Sequence, residues 1–247
     1  MLPLTGSSQN NHGAFNSGEW LKFRLRYGFL NAGYTSLTVK DTIYNGSTKF
    51  LIKGKGWTTG MVKLFFKVDD HYHSVMDKKT LSPYLFRRRV SEGGYKILKD
   101  IRFNQKKNTA KVINYKHKTE KVYTTVSGVQ DMISSMYYVR NLDLSHLKIN
   151  QELSINLFYD QKVNNFKFRF LGKEITKTIF GKIRTLKFKP FVESGRVFKD
   201  KNSVTVWVTD DENKIPIKIK AELAVGSLKV ELESFKGLAN AFPIIFN

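Results

Sequence analysis

Residues 20–27, WLKFRLRY, decide how the rest of the chain is read. Leu21, Phe23, Leu25 and Tyr27 alternate with Trp20, Lys22, Arg24 and Arg26, which is the two-residue period of a strand buried on one face. The apolar set is expected in a core and the cations outside. The same pattern returns in Phe166, Phe168 and Phe170 around Lys167 and Arg169, and in Ile215, Ile217 and Ile219 around Pro216, Lys218 and Lys220. Leu228, Val230 and Leu232 repeat it around Lys229, Glu231 and Glu233. One-faced strands of this kind belong to antiparallel sheets.

Between the strands lie turn residues at Asn45-Gly46, Gly93-Gly94, Asn164-Asn165 and Asp210-Asp211-Glu212-Asn213. Gly226-Ser227 predicts a hairpin joining the last two patterned strands. Pro216 has no N–H for a ladder, so it belongs at an edge, a strand start or a bulge. Strands recurring every ~8 to 14 residues predict a mainly β fold, an antiparallel meander forming a curved sheet, sandwich or open barrel. One segment departs from the pattern. Val129, Met132, Ile133, Met136 and Tyr137 follow the stripe of one central amphipathic helix of about 14 residues, packed on the sheet or plugging its open end. Ser127 and Gln130 fit a capping box at its start, and Asp131 and Arg140 suit its dipole.

The 247 residues are 41% hydrophobic and 13% aromatic, too apolar for a disordered chain. Lys and Arg number 42 against 21 Asp and Glu, a net charge of +21 that draws polyanions. The absence of cysteine excludes disulfides and thiolate metal sites. No apolar run approaches the ~18 residues of a membrane-spanning helix. Residues 1–14 read as a flexible leader without the cationic and apolar regions of a signal peptide. Residues 15–247 then form a single antiparallel β domain, the alternative being two β subdomains split near residue 145. The apolar stretch from Leu238 to Phe246 is expected to cover an open sheet edge, the alternative being that it lines a ligand cavity.

Chemistry-bearing motifs are few. Asp69, His71 and His73 alternate on one strand face and make a sensible metal set, although no fourth ligand is signalled and a solvated polar edge has the same pattern. Arg87 and Arg89 share a face and can bind an anion through paired N–H groups, unless local acids take them. His12, His117 and His146 stand alone. Gly54, Gly56 and Gly60 lack phosphate-loop spacing and a following helix, so they read as bends or bulges. Asp69-Asp70 and Asp210-Asp211 read as turn chemistry. No nucleophile, zinc-protease or nucleotide-binding motif occurs, and no cofactor is implied. Nucleic acid is disfavoured because Phe166, Phe168 and Phe170 point away from the neighbouring cations and offer no stacking platform beside them.

Several stretches resemble a bacterial exported-protein family, domain-of-unknown-function family 3108. They are Phe15-x-x-Gly18-Glu19-x-Leu21-x-Phe23-x-Leu25-x-Tyr27-Gly28 with Ala32-Gly33, and Asp77-x-x-Thr80-Leu81-x-Pro83 leading to Glu92. Val129-x-Asp131-x-Ile133-Ser134-x-x-Tyr137-Tyr138-x-Arg140 is another, as is Val206-Trp207-Val208-x-x-Asp211 with Ile215-Pro216-Ile217 and Val225-Gly226-Ser227. The resemblance implies an antiparallel β fold and a periplasmic or outer-envelope setting in a Gram-negative bacterium. It implies no activity.

The expected function is a non-catalytic envelope protein whose Phe-rich inner face, with Phe166, Phe168 and Phe170, holds a lipid or other amphipathic ligand. Its cationic exterior would approach an anionic membrane or a lipopolysaccharide-like ligand. The alternative is a scaffold or assembly factor binding an acidic protein or polysaccharide. A metal-dependent enzyme built on Asp69, His71 and His73 is the third reading.

Overall fold

The alternation at 20–27 does form a strand, β1 (Trp20–Tyr27), with Leu21 and Phe23 buried and Lys22 and Arg24 outside. Burying two such side chains contributes roughly 1.5–3 kcal/mol each. The computed structural model describes residues 13–159, 161–191 and 203–245. Most of the expected leader, His12 and Phe246 lie outside the described residues.

From β1 an antiparallel meander continues through β2 (Leu30–Tyr44), β3 (Ser47–Thr58), β4 (Asp69–Met76) and β5 (Pro83–Glu92). It ends with β6 (Tyr95–Asn104), β7 (Thr109–Asn114) and β8 (Thr119–Thr124). A second meander runs through β9 (Glu152–Tyr159), β10 (Lys162–Thr178), β11 (Gly181–Pro190), β12 (Val204–Thr209), β13 (Pro216–Glu222) and β14 (Ser227–Lys236). Pairing of β14 with β1 joins the two into one sheet whose edges are β8 and β9. The sheet does not close.

Its two edges nevertheless meet through side chains and connecting chain. Phe158 of β9 packs against Phe103 of β6 at 5.9 Å and Tyr123 of β8 at 6.0 Å between ring centroids. Gln130 donates its N–H to the Asn156 carbonyl at 2.8 Å and accepts from the Phe158 N–H at 2.9 Å. A segment of the connection thereby covers the open ladder of β9.

That contact explains why the central helix is shorter than its apolar stripe. With Gln130 held as a bridge to β9, helix α2 spans Met132–Arg140, and Asp131 rather than Ser127 is its N-cap. A first helix, α1 (Gly60–Phe65), follows β3 where none was expected. Gly54 and Gly56 lie within β3 rather than at bends. Asn164 and Asn165 are inside β10, because the turn is set back to Gln161, whose φ is 67°. Asp69 and Asp70 open β4 instead of forming a turn, and Asp70 is buried, accepting from the Ser91 N–H at 3.0 Å.

Pro216 stands at a strand start and opposite a bulge, where Trp207 pairs with Lys218 but Val208 pairs with Pro216. The extra residue, Ile217, breaks the expected single face: Ile215 and Ile217 enter the main core, while Ile219 lines a separate hollow with Pro216. The C-terminal Ile244–Ile245, β15, pairs with Lys182 and Ile183 of β11, beyond the residues that β12 covers.

Among the described residues, two apolar clusters fill the interior. The main one gathers Leu21, Phe86, Phe158 and Ile183 from both meanders, with Phe15 from the chain before β1. The second holds Leu153, Ile155, Phe168, Phe170 and Phe188 of β9–β11 together with Leu144. Helix α2 contributes Ile133 and Tyr137 to the first and packs Val139 against the second.

Candidate functional site

The site begins with the way α2 is held. At its N-terminus the Asp131 carboxylate accepts from the N–H groups of Ile133 and Ser134 at 2.7 and 2.8 Å and from the Ser74 hydroxyl at 2.7 Å. Ser134 returns a contact by accepting from the Asp131 N–H at 2.9 Å, which completes a capping box. Burial pushes the Asp131 carboxyl up to about 6 although these hydrogen bonds favour its ionised form.

At the other end Arg140 donates to both Glu19 carboxylate oxygens at 2.8 and 2.7 Å, to the Asn213 carbonyl at 2.9 Å and to the Ala14 carbonyl at 2.8 Å. Its guanidinium lies beside the packed rings of Phe15 and Tyr137, 5.5 and 5.0 Å from their centroids. Both partners of this ion pair are buried. It ties the chain before β1, the helix and the β12–β13 loop together. Phe15, Glu19, Asp131, Ser134, Tyr137 and Arg140 all belong to the sequence motifs quoted above, and here they build a lock around α2.

Beside the locked helix is an apolar cavity of about 280 Å³. Met136 and Val139 form its helical wall. Opposite stand Ile155 of β9, Phe166 and Phe168 of β10 and Phe188 of β11. Val206 and Val208 of β12 with Pro216 and Ile219 of β13 close the side, the last pair brought in by the bulge. Met136, Val139, Phe166, Val206 and Ile219 are only half-buried, so the cavity communicates with solvent.

The polar groups in the wall are Ser135, Arg140 and Lys214. The Ser135 hydroxyl donates to the Met132 carbonyl at 3.0 Å, and Arg140 is engaged as described. Lys214 takes a left-handed backbone, φ 46°, fixed by its N–H donating to Asp211 at 3.0 Å. Its half-buried side chain contributes to the cavity wall.

Phe166 and Phe168 thus line the cavity, whereas Phe170 is buried in the second cluster with its ring 5.4 Å from Phe188. Arg87 and Arg89 do share an outer face, but both turn to Asp100, at 3.0 and 2.9 Å. Burial raises the Asp100 carboxyl, and the two arginines outweigh it, holding it below the usual carboxylate range. The anion for this pair is therefore supplied from the neighbouring strand. His71 lies 3.2 Å from Asp69, and among the described residues no group of three His, Cys, Asp or Glu could hold a metal ion. His73 is hemmed in by burial, Lys53 and Arg87, which lower its pKa. Asp69, His71 and Arg89 instead border an outer hollow shared with Lys96 and Lys116.

Among the cavity residues, Met136 was legible in the helical stripe and Phe166 and Phe168 in the strand alternation. Val139 lay outside the stripe read for the helix, and Phe188 and Lys214 carried no signal of their own, since one reaches the cavity through strand order and the other from a turn. The family described as "Protein of unknown function (DUF3108)" matches residues 22–233. None of the curated proteins matches the chain.

Among solved structures, a β-barrel-like protein of domain of unknown function DUF1849 from Brucella abortus is similar at a TM-score of 0.57 and 9% identity, covering 90% of this chain and 98% of that one. This supports a β-barrel-like fold. A candidate exported protein of YmcC-like fold from Bacteroides fragilis aligns at a TM-score of 0.38 and 8% identity, over 90% of this chain and 97% of the other. A candidate lipoprotein from Parabacteroides distasonis does so at 0.33 and 12%, over 91% and 98%.

Proposed function

Because this chain belongs to DUF3108, a family of unknown function, its activity has to be read from its own cavity, and we propose that it is a non-catalytic cell-envelope protein holding an amphipathic, acidic lipid. The observation that carries this reading is the apolar hollow between α2 and β9–β13, with Lys214 in its wall. At about 30 Å³ per water- or methylene-sized group, 280 Å³ admits roughly ten such groups, the inner part of one acyl chain. The aromatic wall of Phe166, Phe168 and Phe188 suits a chain, and the ammonium suits a carboxylate or phosphate head. Polar ligands fit poorly, because few hydrogen-bonding groups face the space.

The test is native mass spectrometry of the protein purified from its source envelope, joined to uptake of a fluorescent fatty acid by delipidated protein. The expected result is a co-purifying acidic lipid. Val139→Trp, which fills the cavity from the helix side, should reduce probe affinity at least about tenfold while leaving the protein folded. Lys214→Met should weaken a fatty acid more than the corresponding alcohol. Absence of lipid and of saturable uptake, or uptake indifferent to Val139→Trp, rejects the reading.

A further inference from the structure

Helix α1 is apolar, yet it has no buried residue. Its sequence Gly-Met-Val-Lys-Leu-Phe continues into Phe66 and Lys67. Met61, Leu64 and Phe65 are 69%, 81% and 85% exposed. A helix with this composition normally turns an apolar stripe to a core. In the β1–β2 turn Phe29 is 93% exposed, and in the β13–β14 turn Val225 is 76% exposed.

The sheet register gathers these residues at one end. Tyr27, the last residue of β1, pairs with both Leu30 and Leu228, and Thr58, the last of β3, pairs with Gly33. The Tyr27 hydroxyl donates to the Val225 carbonyl at 2.9 Å, and the Thr59 N–H donates to the Ala32 carbonyl at 3.2 Å. The turns that carry Phe29 and Val225 are thus tied to each other and to the start of α1. Phe66 rests over the β5–β6 turn, where any side chain at Gly93 would strike its ring. Lys63 in the last turn of α1 and Lys67 just beyond it are also exposed. Large exposed apolar side chains gathered at one end of a folded chain, with exposed lysines among them, mark a surface that meets something else.

We propose that this end of the sheet docks on an anionic phospholipid bilayer, with Phe29, Leu64 and Phe65 entering the headgroup region and Lys63 and Lys67 meeting lipid phosphates. A net charge of +21 favours an acidic leaflet and opposes a second copy of the chain as the occupant. Lysine stems also let the apolar body sink while the ammonium stays among the headgroups. The inference goes beyond the cavity reading and is independent of what the cavity holds, since none of these residues lines it.

Because the chain has no cysteine, single labels are straightforward. Leu64→Cys, carrying a polarity-sensitive fluorophore, should shift to the blue with vesicles of phosphatidylcholine containing roughly a third phosphatidylglycerol. The same label at Ile43→Cys, exposed at the opposite end beside the Asn45-Gly46 turn, should not shift. In co-sedimentation, Leu64→Ser with Phe65→Ser should weaken partitioning roughly 30-fold without lowering thermal stability. Lys63→Glu with Lys67→Glu should weaken it most at low salt. The proposal is overturned if wild type ignores the vesicles, if both labels respond alike, or if the serine variants bind unchanged. It is equally overturned if sedimentation finds a wild-type dimer that the serine variants dissolve, which would make the patch an interface between copies. Delipidated protein should dock as well, so a failed cavity reading leaves this result distinct.

Discussion

Replacing Asp131 with asparagine should stabilise the protein near neutral pH and have little effect in mild acid. The carboxyl is fully buried at the α2 N-cap, and burial raises its pKa from an ordinary 3.8 to about 6. Between those two values the folded protein retains a proton that the unfolded chain has lost. Stability therefore falls as pH rises through this window, and the loss levels off above the folded pKa. Two pH units correspond to roughly 3 kcal/mol.

In Asp131→Asn the amide oxygen still accepts from Ile133 and Ser134, and its NH₂ donates to the Ser74 hydroxyl, as the protonated acid can. Asparagine caps a helix about as well as aspartate. The variant should match wild type within about 0.5 kcal/mol near pH 4 and exceed it by about 2–3 kcal/mol near pH 8. Asp131→Ala, in contrast, loses about 1–2 kcal/mol of capping and strands the buried donors. Urea unfolding followed by tryptophan fluorescence across this range supplies the difference curve, in which other, distant carboxylates cancel. A difference between wild type and Asp131→Asn that does not change with pH would refute the reasoning.

Arg140→Met removes four hydrogen bonds and leaves Glu19 as an unpaired buried carboxylate, so a loss of about 3–5 kcal/mol is expected in the same urea experiment. A loss below about 1 kcal/mol would mean that the lock around α2 is not a stabilising element. Gly33→Ala should destabilise by at least about 2 kcal/mol, because a Cβ there would lie 2.2 Å from the Trp57 carbonyl oxygen on β3. A melting temperature equal to wild type would contradict that close approach.

Much of the fold was legible because alternation is local. Leu21 and Phe23, the hairpin at Gly226 and the strand start at Pro216 each follow from side-chain periodicity or backbone chemistry within a few residues. Phe166 and Phe168 were legible as an inner face, but the emptiness beside them was not. The helix shows the boundary between the two kinds of information: its stripe from Val129 to Tyr137 is real, but Gln130 is held by β9, and a pairing partner more than twenty residues away leaves no periodic mark. Arg87 and Arg89 illustrate the same limit, since the Asp100 that occupies them sits on the next strand.

The sequence by itself determined a mainly β chain with apolar faces inward, cations outward, and a helix near its middle. Tertiary structure alone decided that β1 pairs with β14, that one bulge turns Ile217 into the core and Ile219 toward a cavity, and that α1 buries none of its residues. Side-chain direction is set residue by residue along a strand, whereas a cavity or an uncovered helix is a property of elements brought together from distant parts of the chain.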